Sequence, residues 1–358
     1  MNDLGVKGMT TRRLGLYWLI LVLLIGATMV TARDGRDPAV RYLGDFKNAD
    51  GKPPNGLDDT TDDTEALRKA LAVGPGIVRV GPGFFRWGEI TIPSDVAIVG
   101  VGPATVVRSN GAKRIFWQKS VRGWAIRDMT LDGEVKGDWK KREDLGQNGI
   151  ATEGGWGFEI VGVTLRNFSG AGLQLTWTNL GASGWSAGGN LDRITAHDNY
   201  VGIRFDIRSE YMNATNLSAF HNVIGCVIHA GNAKITASNF GGNIDGIVIE
   251  DKDNGSHGAI SNCLVNHNER YALLIRNAKN GMLIDGCCFF YGKIQIENSQ
   301  GINITSGIIN TGLVVAGDGA NRIAGNYIIP SDFSIEFSRL TIVENNFTKE
   351  GPWEKNNR

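Results

Sequence analysis

The sequence predicts an all-β chain wound as a parallel β-solenoid and closed at its start by one short helix. Three observations carry this reading. Four segments, HDNYVGIRFD, FHNVIGCVIH, GGNIDGIVIE and NHNERYALLIR, each set an Asn three or four residues ahead of a Gly or Ala in an apolar strand. These residues, Asn199, Asn222, Asn243 and Asn268, are spaced by 23, 21 and 25 positions. A period of just over twenty, built from very short strands, marks a stacked solenoid. Within the strands apolar residues recur at every second position, so alternate side chains face inward and outward. The 49 glycines fit the turns such a repeat needs.

With 358 residues the chain is long enough for one large solenoid. Its 37 basic residues balance 37 acidic ones, which gives no support to a nucleic-acid partner. Nine tryptophans are many, and suggest flat apolar surfaces for a ligand.

The N-terminal segment, 1–32, reads as a signal peptide or membrane anchor. Lys7, Arg12 and Arg13 precede the apolar run 14–30, and Val30-Thr31-Ala32 offers the small residues of a cleavage site. Either form exports the rest of the chain to the periplasm, cell surface or medium. Contact with a membrane is expected only through an uncleaved N-terminal segment.

Residues 33–56 read as a polar lead-in linker, 57–348 as the solenoid with its cap, and 349–358 as a polar tail. In LDDTTDDTEALRKALA, Asp62 followed by Glu65 has the pattern of a capping box. Ala66, Leu67, Ala70 and Leu71 then share one face of a short amphipathic helix. The first rung of a solenoid has bare strand edges, and this helix is the natural cover for them.

Short apolar strands at 78–80, 90–92 and 96–99 follow, divided by Gly and Pro. The run from DDTTDDTEALRKAL through VRVGPGFFR to IPSDVAIVGVG resembles the N-terminal signature of the pectate-lyase superfamily, the rhamnogalacturonase/epimerase-like β-helix proteins. Gly81-Pro82-Gly83-Phe84 stands where that family usually has Pro-Pro-Gly-x. The resemblance covers about 50 residues. It implies a single-stranded right-handed parallel β-helix of the pectin-lyase type and, commonly, chemistry on an extracellular polysaccharide.

Three strands per rung account for the inward positions. First strands supply Ile126, Ile160, Leu191, Ala214, Ile235, Ile260, Ile284 and Ile304. Second strands supply Leu165, Ala196, Ala219, Phe240, Val265 and Phe289, and third strands Leu173, Ile203, Cys226, Ile247, Leu273 and Ile294. The Asn column falls between second and third strands, where Asn accepts left-handed backbone and bonds neighbouring turn amides, a structural role. Cys226, Cys263, Cys287 and Cys288 read as small buried hydrophobes. A disulfide between Cys263 and Cys287 stays open.

A binding site on a solenoid is expected on an outward column or in a turn insertion. The outward face of the first strands carries Arg127, Glu159, Asn190 with Asp192, Asn213, Lys234 and His257, and the resemblance favours this face. Trp124, Trp156, Trp185 and Tyr211 each precede a first strand by two to six residues, as an aromatic column for the apolar faces of sugars. Glu210, Asn190 and Asn213 add hydrogen-bonding groups. Glycoside hydrolysis needs two carboxyl groups, and Glu159 with Asp192, on adjacent rungs and two positions apart, makes the best pair at about 8 Å. A lyase or epimerase needs a base beside a uronate and cations to neutralise its carboxylate, for which Lys234, His257, Arg208 and Tyr211 are candidates. The ladder Asp206–His229–Glu250–Arg276 reads as alternating charge along the strand ends.

No cofactor is required by this reading; the loop 250–255 has oxygen ligands for Ca²⁺ at short spacing but lacks the full EF-hand pattern. The motifs G-H-G and R-I-K of polygalacturonases, W-I-D-H of calcium pectate lyases and D-P-H of alginate epimerases are missing. The resemblance therefore implies a fold and a glycan partner without naming catalytic residues. The expectation is an exported carbohydrate-active protein, hydrolytic on an acidic polysaccharide, with lyase, epimerase and non-catalytic glycan-binding alternatives.

Overall fold

The computed structural model describes residues 40–57, 60–177, 185–329, 335–336, 340–348 and 351–353. The apolar run 14–30 and the signal or anchor reading lie outside the described residues. Among the described residues no helix is long and apolar enough to cross a membrane.

The described residues form a parallel β-solenoid of about 11 turns with one α-helix. First and second strands form a folded 24-stranded sheet, and third strands form a 12-stranded sheet. Registers match the expected columns. Ile160 faces Ile126 and Leu191, Ala214 faces Ile235, and Ile284 faces Ile260 and Ile304. All of these are buried, in one core cluster that reaches from Leu43 to Ile328. Burying one such Ile is worth about 1.5–3 kcal/mol.

Seven successive rungs turn from first to second strand through one residue in the left-handed region. Gly162, Arg193, Asn216, Ala237, Asn262, Gly286 and Ser306 occupy that corner in successive rungs. The Asn corner corrects an expectation. The left-handed residues there are Asp198, His221, Gly242 and His267, each just before the Asn. The Asn side chains act as a hydrogen-bond ladder: the backbone N–H of Asn199, Asn222 and Asn243 donates to Oδ1 of Asn222, Asn243 and Asn268 at 2.9–3.0 Å.

The cap is α1, Thr64–Ala72, with Ala66, Leu67, Ala70 and Leu71 buried. Its N-cap is Asp63, with no side-chain capping bond; Asp62 Oδ1 accepts from the Thr64 N–H at 2.9 Å instead. Thr64 Oγ1 accepts from Gly88 N–H at 2.6 Å, tying the helix to the first rungs. Pairing begins inside the lead-in, where Val40–Tyr42 runs parallel to Gly76–Arg79. It ends inside the tail, where Gly351–Trp353 folds antiparallel onto Asn346–Thr348. The four cysteines are free thiols.

Candidate functional site

The outward face of the third strands gathers the groups most suited to chemistry. One outward column runs Trp117, Ala151, Gln174, Arg204, Val227, Val248 and Leu274. Two residues further along each strand lies a polar column. Lys119 faces Glu153, which faces Thr176, and the ladder continues through Asp206, His229, Glu250 and Arg276.

Asp206 and His229 form its centre. His229 Nδ1 lies 2.9 Å from Asp206 Oδ1, and His229 Nε2 lies 3.9 Å from Glu250 Oε2. Asp206 Oδ2 accepts from Gln174 Nε2 at 3.0 Å, and Oδ1 accepts from Ile207 N–H at 3.0 Å. Burial alone raises a carboxyl pKa. Here the His229 hydrogen bond and charge, the Gln174 amide and the Ile207 N–H outweigh it, and Asp206 is lowered to about 2. His229 is 9% exposed, so its ring is fixed by packing as well as by hydrogen bonds.

Beside this ladder is a cleft of about 290 Å³ lined by Arg114, Trp117, Asp144, Glu153, Gln174, Thr176 and Arg204 among others. One wall comes from the charged insertion 133–147, clamped by an Arg204–Asp144 ion pair at 3.1 Å and by Trp139 stacked on His221. Thr176 Oγ1 and Arg204 Nε, both in the cleft lining, are buried without a hydrogen-bond partner. Such atoms cost free energy unless something pairs with them. A second cleft, of about 320 Å³, lies where third strands run on towards first strands, and is lined by Ser94, Ser120, Arg122, Trp156, Trp177 and Trp185 among others.

The registers keep most residues expected on the first-strand face there. Glu159 faces Asn190, and Asp192 faces Val161, the diagonal placement expected. Each carboxylate already has a partner: Arg127 on Glu159, and Arg193 at 2.8 Å with Asn216 at 3.0 Å on Asp192. Asn190, Asn213 and Lys234 do stack in one column, but its next member is Ala259. His257 falls two residues earlier because the loop before it is longer, and its Nδ1 contacts Asn254 O at 2.9 Å.

The four aromatics do not make one column. Trp124 is 1% exposed and stacks on Phe158, with ring centroids 4.8 Å apart, so it belongs to the core. Trp156 and Trp185 line the second cleft, and exposed Tyr211 holds a left-handed turn. Glu210 is buried and accepts from Asn232, Asn254 and the Gly231 N–H, which makes it a turn brace. Arg208 lies with its guanidinium 5.8 Å over Trp185, on the edge of the second cleft rather than the first-strand face. In the loop 250–255, Asp251 accepts from Gly255 N–H and Asp253 from Arg208 N–H. Among the described residues no group of three His, Cys, Asp or Glu has a metal-holding arrangement.

Sequence reasoning found the Asp206–His229–Glu250 ladder and set it aside as solvated charge. The column itself is legible in the sequence; the side-chain contacts that hold Asp206 on His229 are not.

No model of a known family matches the chain, and no curated protein matches it. Solved structures do. The A-module of mannuronan C-5 epimerase AlgE4 from Azotobacter vinelandii aligns with 87% of this chain and 95% of its own, at 18% identity and a TM-score of 0.56. The A-module of AlgE6 from the same organism aligns with 88% and 100%, at 15% identity and 0.58. A mutant tailspike protein of E. coli bacteriophage HK620, in complex with a pentasaccharide, aligns with 88% of this chain and 66% of its own, at 12% identity and 0.63. At such identities the likeness establishes the fold: the chain is a parallel β-helix protein, as the N-terminal signature implied.

Proposed function

We propose that this chain acts on a polysaccharide lying across the outer face of the third sheet, and that His229 moves a proton on a uronate residue, in β-elimination or epimerisation. The observation that carries the reading is the Asp206–His229 pair. An anionic Asp206 on Nδ1 keeps the proton there and leaves Nε2 as the basic nitrogen. Removing the proton next to a uronate carboxylate builds negative charge on that carboxylate, and fixed cations stabilise it. Arg204, with its unpartnered Nε, and Lys252, 3.3 Å from Glu250, stand on this face. The solved glycan-bound tailspike and the epimerase modules share the fold, which supports a glycan as the partner.

Hydrolysis at this face is less well served. Both oxygens of Asp206 are occupied by donors, and Glu153 and Glu250 are four rungs apart, about 19 Å. Paired carboxylates in glycosidases stand within about 10 Å of each other.

The test is incubation of the full chain with acidic and neutral polysaccharides in deuterated water. New reducing ends, the ultraviolet absorbance of an unsaturated uronide and deuterium at C5 are followed together. The expected result is deuterium at C5 or the unsaturated product, lost in His229→Gln. Reducing ends alone move the chemistry to hydrolysis at Glu159 and Asp192. No signal with retained binding leaves a glycan-binding protein and removes the catalytic reading.

A further inference from the structure

The cleft of Trp156, Trp177 and Trp185 borders the Glu153 and Thr176 end of the ladder, away from His229, and its composition is unlike the rest of the surface. Trp156 is 54% exposed and Trp185 37%, while Trp177 is buried at 8%. Indole faces of this kind hold the apolar C–H faces of sugar rings. Among the described residues the lining contains one charged side chain, Arg122, and no Asp or Glu. Arg122 is exposed and has no ion pair among the described residues. The Arg208 guanidinium over Trp185 adds positive charge at the same edge. A chain with equal numbers of acidic and basic residues has thus left an aromatic cleft that is cationic only.

The cleft is also built. Gly154 has φ +81°, and a Cβ there would fall 2.0 Å from the Trp177 ring, so the indole occupies the space a side chain would take. Ser186 Oγ then binds the two segments that carry the indoles. It accepts from Gly154 N–H at 3.0 Å, donates to Thr176 O at 2.7 Å and lies 2.9 Å from Thr152 Oγ1.

We infer that this cleft is a binding subsite for a uronate residue, its ring held against Trp156 and Trp185 and its carboxylate paired with Arg122. A guanidinium matches a carboxylate with two parallel hydrogen bonds and is weakly hydrated, so the pair forms at small desolvation cost. Trp156 follows Glu153 by three residues on one strand, a reach of about 10 Å. His229 stands three rungs from Glu153, about 14 Å along the axis, so a polymer occupying both places runs obliquely across the strand ends. The choice of uronate rests on the proton-transfer reading above; the subsite itself rests on the cleft.

The test is calorimetric titration of the full chain with an oligouronate, a neutral oligosaccharide of equal length and its sulfated form. The oligouronate should bind about tenfold more tightly than the neutral chain, the worth of one charge-assisted pair at a partly exposed site. Arg122→Gln should erase that preference and Trp156→Ala should weaken all binding, both with unchanged melting temperatures. Equal binding of the neutral or sulfated chain, or a preference that survives Arg122→Gln, overturns the inference. If the wild type exchanges no deuterium yet shows Arg122-dependent preference for the oligouronate, the catalytic reading falls and the subsite stands.

Discussion

His229 Nδ1 lies 2.9 Å from Asp206 Oδ1, and buried His229 with half-buried Asp206 forms one unit at the end of the third strands. This unit makes stability depend on pH with a definite sign. Asp206 titrates at about 2, below the ordinary 3.8, because His229, Gln174 and the Ile207 N–H favour its anion over the opposing effect of burial. A depressed carboxyl stabilises the fold fully above its unfolded value, and loses that contribution as pH falls through its folded value. The window therefore lies between about pH 4 and pH 2, and the contribution is about 2 kcal/mol. Chemical denaturation across that window should show a steeper loss for the wild type than for Asp206→Asn. Equal slopes would mean that the pair adds nothing to the folded state.

The Asn ladder makes a second expectation. Asn243 Oδ1 accepts from both Asn222 N–H at 2.9 Å and Asn222 Nδ2 at 3.1 Å, and Asn243 Nδ2 donates to Ala219 O at 3.0 Å. Asn243→Ala leaves the Asn222 N–H buried without its acceptor and takes one bond each from Asn222 Nδ2 and Ala219 O, at a cost of about 3 kcal/mol. Asn239→Ala, exposed on the same rung, should change stability by less than about 0.5 kcal/mol. Urea unfolding of the two variants separates a ladder from a mere turn preference.

Much of this fold was legible in the sequence, because a solenoid repeats its own pattern. The inward columns of Ile160, Leu191, Ala214 and Ile235 follow from alternation, and stacking then aligns them in register. Less legible was anything set by loop length. His257 missed its column because the loop before it is longer than its neighbours', and alternation cannot count across a loop. Trp124 and Trp156 look alike in sequence, yet Trp124 faces the core beside Phe158 while Trp156 sits two residues before that Phe. The Asp206–His229 stack was legible from alternation, but the Nδ1–Oδ1 contact depends on side-chain rotamers that the sequence pattern does not carry.

Gly154 offers a direct handle on the second cleft. Its positive φ already disfavours a side chain, and the Trp177 ring fills the space beside it. Gly154→Ala should cost about 2–3 kcal/mol, from left-handed strain and from displacing the indole. Trp177 should also become more exposed, with a red-shifted fluorescence emission and weaker oligosaccharide binding. A variant with native melting and native emission would show that Trp177 does not depend on that glycine.

Trp124 and Trp156 allow packing and binding to be separated with one type of substitution. Trp124 is 1% exposed and stacked at an interplanar angle of 5° on Phe158, so Trp124→Ala opens a cavity that neighbouring rungs cannot close. Large-to-small changes of this kind cost about 3–5 kcal/mol. Trp156 is 54% exposed, and Trp156→Ala should stay within about 0.5 kcal/mol of wild type. Binding should follow the opposite order. Under conditions where both variants remain folded, Trp124→Ala should bind oligosaccharide like the wild type, because its ring never meets the ligand. Trp156→Ala should lose about 1–2 kcal/mol of affinity, the worth of an aromatic face against an apolar partner. Melting curves and titrations on the same two samples decide the matter. Equal effects of both substitutions on binding would place the aromatic contribution in the core's rigidity and remove Trp156 from the ligand's path.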